Sequence, residues 1–135
     1  MRVIIDGNNV MGAAAGGWWR DRPAAVRRLL ARVQCYARSA AEGDRIVLVL
    51  DVPQADLPEG LHDGVEVVYA TRRGRDAADD RIRALVTELE RDEATEREVE
   101  VEVVTSDRAL RADMGARVRV TGAGTFLGRL EAAGC

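Results

Sequence analysis

Six aspartates punctuate this sequence where a strand stops or a helix begins. Asp6 follows the apolar run Val3-Ile4-Ile5, Asp51 follows "IVLVL", and Asp107 follows "VEVVTS". Asp76, Asp79 and Asp80 crowd "RDAADDRI", just ahead of an amphipathic stretch. Ligands of open parallel sheets bind outside the carboxyl ends of the strands, and right-handed crossovers bring the following helix starts to that same edge. The six carboxylates are therefore expected on one edge, where they repel one another unless something compensates them. Their oxygens suit a divalent cation such as Mg²⁺ or Mn²⁺. Such a metal activates water and stabilises charge on a phosphodiester, so the chemistry expected is phosphoester hydrolysis.

Each acid also has a plainer reading. Asp107 could cap the helix that starts at "RALRADM", and Asp76 or Asp79 the helix before it. Asp6 resists that reading, because an apolar strand needs no terminal acid and Gly7-Asn8-Asn9 is not expected to open a regular helix. Of the two amides, one reads as holding a turn through nearby backbone. Asn9 is the one expected to orient Asp6 or to bind a water on the metal.

Strands are predicted at 2–6, 45–51, 65–70, 99–105 and 117–121. Helices are predicted from about Asp21-Arg22-Pro23, where Asp caps and Pro suits the first turn, from about 77 to 92, from about 107 to Gly115, and from about 125. The first repeats Val26, Leu29, Leu30, Val33 and Ala37 on one face, and the second Ile82, Leu85, Val86 and Leu89. Strands alternating with helices give an α/β fold, a three-layer α/β/α sandwich around a mainly parallel sheet of about five strands, in a single domain over 1–135. Val47 to Leu50 is continuously apolar, as in a strand covered on both faces. "VEVEVV", 99–104, alternates, so its first half is expected in solvent. "DEATERE", 92–98, reads as a charged loop or frayed helix end, and His62 as a surface loop residue.

Composition narrows the chemistry. The 135 residues carry a net charge of −3 and are 47% hydrophobic, with 4% aromatic, so one core built from aliphatic side chains is feasible. The overall charge argues against a general polyanion-binding surface. Every basic side chain is Arg and none is Lys, which removes a lysine phosphate loop and lysine-base chemistry. No apolar run is long enough for a membrane span and the start has no signal-peptide pattern, so a cytoplasmic protein with no membrane partner is expected. Cys35 and Cys135 are far apart in sequence, with no Cys-x-x-Cys. Neither a soft-metal site nor a disulfide framework is expected.

Four segments together, "IIDGNNVMG", Asp51 closing its strand, "AADDRI" and "VVTSDRALR", resemble the NYN group of the PIN-like nuclease superfamily, most closely its YacP-like branch. The resemblance covers nearly the whole chain, with the motifs in order. It implies a PIN-like α/β/α sandwich with an acidic metal site and ribonuclease activity. Position by position it makes Asp6 the first acid, Asn9 the Asn of the D-G-x-N motif, Asp79 and Asp80 the acids of the "ADD" match, and Asp107 that of the "TSD" motif. Asp51 matches the acid after the second strand less closely, and Asp76 has no counterpart. The longer carboxyl-terminal extension of some YacP-like members is not expected here, nor are the RNA contacts it would carry.

The leading expectation is a metal-dependent endoribonuclease. Asp6, Asp79, Asp107 and Asn9 are its catalytic set, and Asp6, Asp51, Asp79, Asp80 and Asp107 its candidate ligands for Mg²⁺ or Mn²⁺. RNA contacts are sought in "GGWWRDR", where Trp18 or Trp19 could stack on a base and Arg20 and Arg22 meet phosphates, while at least one Trp reads as a lid packed on the core. "TRRGRD" offers Arg72, Arg73 and Arg75, and the helix after Asp107 offers Arg108; each also reads as solvated surface. The partner expected is RNA, alone, within a ribonucleoprotein complex, or across a homodimer. Two alternatives remain: a non-catalytic RNA-binding or protein-docking module, and a hydrolase of nucleotides or small phosphoesters.

Overall fold

A computed structural model describes residues 1–74, 76–92 and 97–135. Strand β1 (Arg2–Asp6) leads directly into helix α1 (Gly7–Ala13), and a 3₁₀ turn at Trp18–Arg20 precedes α2 (Arg22–Ala37). Next come β2 (Arg45–Leu50), β3 (Gly60–His62), β4 (Val65–Tyr69), α3 (Ala77–Leu89), the two-residue strands β5 (Arg91–Asp92) and β6 (Arg97–Glu98), β7 (Val101–Val104), α4 (Arg108–Ala112), β8 (Val118–Thr121) and α5 (Ala123–Ala132). Six strands form one sheet in the order β3-β4-β2-β1-β7-β8, parallel except for β3 at its edge.

Alternate residues of the strands feed two cores. Val3, Ile5, Leu48 and Val67 meet α1, α2 and α5 through Val10, Val26, Leu29 and Phe126 on one face. Ile4, Val47, Val49 and Val103 meet α3 and α4 through Ile82, Leu85 and Leu110 on the other. The continuous apolar run of β2 follows from being covered on both sides. Each such side chain contributes roughly 1.5–3 kcal/mol on burial. Helix α2 opens as expected, with the Asp21 carboxylate accepting from Ala24 N–H at 3.1 Å and Pro23 in the first turn.

Three expectations need correction. Gly7-Asn8-Asn9 does open a helix, α1. It starts with no intervening loop because Gly7 is buried under β2, where a Cβ would stand 2.8 Å from the Val49 carbonyl oxygen. The stretch around His62 is an edge hairpin rather than a loop: Asp63 and Gly64 both take positive φ, 46° and 85°, the pattern of a tight Asp-Gly turn between paired strands. Along "VEVEVV" the expected course holds: Val99 is half-buried and Glu100 exposed, burial sets in at Val101, and in the later half Glu102 is only 1% exposed. Burial alone would raise its pKa, but two bonds from Arg129 at 2.8 and 2.9 Å and one from Thr121 at 2.6 Å hold it below the usual carboxylate range.

The third correction concerns the cysteines. Cys35 near the end of α2 and Cys135 beyond α5 form a disulfide, with Cα atoms 5.8 Å apart across a sequence separation of 100. The packing of α5 beside α2 brings together two residues whose spacing gave no hint of pairing. Among the described residues no helix is long and apolar enough to cross a membrane. The charged stretch 92–98 lies largely outside the described residues, as does Arg75.

Candidate active site at the sheet switch point

From β1 the chain builds outward through β2 to β4, then returns under the sheet by α3 and continues on the other side with β7 and β8. The reversal falls between β1 and β7, where open α/β sheets hold their ligands. Asp6 is the last residue of β1 and Asp107 stands just before α4. Together with Asp76 and Asp79 from the start of α3 they line a cleft of about 270 Å³, to which Asn8, Asn9 and Asp51 also contribute.

The two amides after Asp6 tie three strand ends together. Asn8 clasps the end of β2, its Nδ2 donating to the Asp51 carboxylate at 2.8 Å and its Oδ1 accepting from Asp51 N–H at 3.0 Å. Asn9 reaches the other way, its Oδ1 accepting from Ser106 N–H at 2.7 Å. Each therefore holds backbone, and Asn9 acts on the loop bearing Asp107. Ser106 in turn accepts from Ala123 N–H at 2.8 Å, joining that loop to the start of α5.

Asp6 is 5% exposed. Its pKa is raised to about 6, first by burial, against the lowering effect of the Thr105 hydroxyl, and further by the negative charges of Asp79 and Asp107. Thr105 is fully buried and was missed as a site residue. Its hydroxyl donates to Asp6 Oδ2 at 2.9 Å and accepts from Asp107 N–H at 3.1 Å, coupling two acids from different elements. The "TSD" motif contained it, but only the β1–β7 register gives it a partner. Asp79 is also raised, by burial and then by Asp107 and Asp76. Asp107 does cap α4, with one oxygen accepting from Leu110 N–H at 2.9 Å, while it lines the cleft. Asp76 takes a left-handed φ of 61°, a conformation Asp tolerates better than most residues.

The remaining candidates are spread more widely. Both oxygens of Asp51 accept from Arg22, at 3.1 and 3.0 Å, so Asp51 reaches the cleft already neutralised. Asp80 is not among the cleft residues; it is exposed, and paired with Arg72 and Arg83 that hold its pKa below the usual range. Trp18 packs against the core with the Arg22 guanidinium 5.1 Å from its ring centre. Trp19 is 65% exposed beside Arg20. Arg73 and Arg108 are exposed. None of the described Trp and Arg candidates lines the acidic cleft.

Every polar side chain lining the cleft offers oxygen, from carboxylate or amide. Among the described residues, however, no three His, Cys, Asp or Glu form a ready-made cation cage.

Comparison with curated proteins gives no match. Two crystal structures of Rae1 (YacP) from Bacillus subtilis share the fold. The first, of a single-substitution mutant, has a TM-score of 0.69 at 24% identity, covering 98% of this chain and 76% of that one. The second has a TM-score of 0.70 at 23% identity, covering 99% and 75%. The model of the YacP-like NYN domain matches residues 3–124. That span takes in all four acidic segments, and the chain belongs to the YacP-like NYN domain family, a nuclease-type PIN-like family.

Proposed function

We propose that this protein is a metal-dependent endoribonuclease that hydrolyses RNA phosphodiesters in the cleft between β1 and β7. The observation that carries this reading is the crowding of Asp6, Asp76, Asp79 and Asp107 in an open cleft that no described Arg lines. An RNA phosphate adds further negative charge, so a cation must accompany it. Mg²⁺ keeps several waters and takes only one or two protein carboxylates, so an all-oxygen cleft without a closed cage fits largely hydrated Mg²⁺ or Mn²⁺. Asp6, Asp79 and Asp107 are the residues that would hold it, one or two directly and the others through its waters. When bound, the cation supplies charge stabilisation at the phosphate and makes water a better nucleophile.

The chain's own residues set the geometry. Thr105 fixes one oxygen of Asp6, and Asn9 fixes the loop that aims Asp107. Burial and the neighbouring Asp79 and Asp107 make Asp6 costly to ionise alone, a cost that a cation in the cleft would offset. Because Arg22 and Arg72 are already paired with acids, longer RNA contacts would come from a ribonucleoprotein partner or a second copy.

The test is cleavage of labelled single-stranded and structured RNAs with and without Mg²⁺ or Mn²⁺, for the native protein, Asp6→Asn and Asp107→Asn. Asn can still accept from Thr105 and is as good a helix cap as Asp, so both variants remove charge and keep the fold. Internal cuts that need metal and fall at least ~100-fold in both variants are expected. Cuts that survive both substitutions overturn the proposal. RNA binding without cutting would favour a docking module, and turnover of nucleoside triphosphates alone a small-phosphoester hydrolase.

A further inference from the structure

A second cavity, of about 390 Å³, adjoins the acidic cleft, and Asn8 and Asp51 line both. Met11, Val26 and Leu50 form its apolar walls, and Val52, half exposed, stands open at its rim. Besides Asn8 and Asp51, the polar side chains lining it are Arg22, Gln54 and the exposed Asp56. Arg22 is fixed in place by its ion pair to Asp51 and by the Trp18 ring. Gln54 has a buried Oε1 with no hydrogen-bond partner among the described residues.

This combination suits one kind of occupant. A nucleobase has apolar faces and a polar edge, and proteins read unstacked RNA bases by packing the faces and bonding the edge. A Gln amide presents a donor and an acceptor side by side, the pattern needed to pair with a base edge. Its terminal torsion is broad and roughly two-fold, so either atom can turn toward the cavity. Where it stands, the unpaired buried oxygen is unfavourable; with the amide turned, it can accept a base N–H in the cavity, which a purely apolar ligand does not offer. The volume lies within the range of small-molecule sites. A nucleotide whose phosphate lies among the acids would have its base, or that of its neighbour, at the Asn8–Asp51 partition.

We infer that this cavity is a base subsite, taking one unstacked nucleobase next to the phosphate in the acidic cleft, with Gln54 reading its edge and Arg22 bordering it. The inference rests on the ribonuclease reading and adds a source of sequence preference to it. Its test is separable. Metal-free protein is titrated with the four 5′-mononucleotides while the methyl signals of Met11, Val26 and Leu50 are followed by NMR. Saturable shifts are expected for at least one nucleotide, weakened about tenfold by Gln54→Leu, the order expected for lost edge bonds. Ala55→Trp, at an exposed position on the cavity lining, is expected to block them. In parallel, cleavage of a randomised RNA should show a base preference beside the cut that Gln54→Leu flattens. Absence of methyl shifts with every mononucleotide, or shifts untouched by both variants, overturns the inference whatever the nuclease assay gives. Shifts that the variants weaken, in a protein that cuts no RNA, uphold the cavity as a nucleotide site and defeat only the nuclease reading.

Discussion

Asp6 ionises against burial and against the charges of Asp79 and Asp107, with the Thr105 hydroxyl as partial compensation. Its folded pKa of about 6 lies above that of an unfolded Asp, so the native state binds more protons between about pH 4 and 6. Stability from this group is therefore full below pH 4 and lost as pH rises through 6. Urea denaturation of metal-free protein should show a loss of about 2–3 kcal/mol over that window. Asp6→Asn should remove most of the slope and leave the protein more stable at pH 7. Thr105→Val should do the reverse, stranding the Asp6 oxygen and the Asp107 N–H. A stability loss of about 1–3 kcal/mol and reduced RNA cleavage are expected, with Thr105→Ser restoring much of both. The acids were legible in the sequence because each ends a strand or starts a helix. Thr105 was not, because its role exists only where β7 lies beside β1.

At the scale of elements, α1 is the part that makes the site possible and the part the sequence hid. A seven-residue helix is too short to show an amphipathic period, and its start is set by tertiary fit rather than by a cap. Gly7→Ala would push a Cβ against the Val49 carbonyl oxygen, a backbone atom that cannot turn aside. A destabilisation of at least ~1–3 kcal/mol is expected, read as a lowered denaturation midpoint together with weakened RNA cleavage, since Asn8 and Asn9 move with the helix. The longer helices and inner strands were legible from apolar periodicity. The β3 hairpin did carry a signal, the Asp63-Gly64 turn, masked by surrounding prolines and glycines. The buried ion pair of Glu102 was not legible, because its partner Arg129 lies 27 residues on.

For the whole molecule, the Cys35–Cys135 disulfide encloses every strand except β1. Closing a loop of this size contributes roughly 4–5 kcal/mol in the chain-entropy account. Reduction, or Cys35→Ser, should lower stability by about 2–5 kcal/mol, which thermal melts with and without reductant would measure. Strand β1 is synthesised first yet occupies the middle of the sheet, and Asp6 meets Thr105 across 99 residues of sequence. Contacts so distant along the chain form late, after much loop entropy has been overcome. A nascent polypeptide stopped short of Thr105 has Asp6 but neither its hydroxyl partner nor Asp107. The cleft is completed only once β7 and Asp107 have been made, so a chain interrupted before them cannot assemble it.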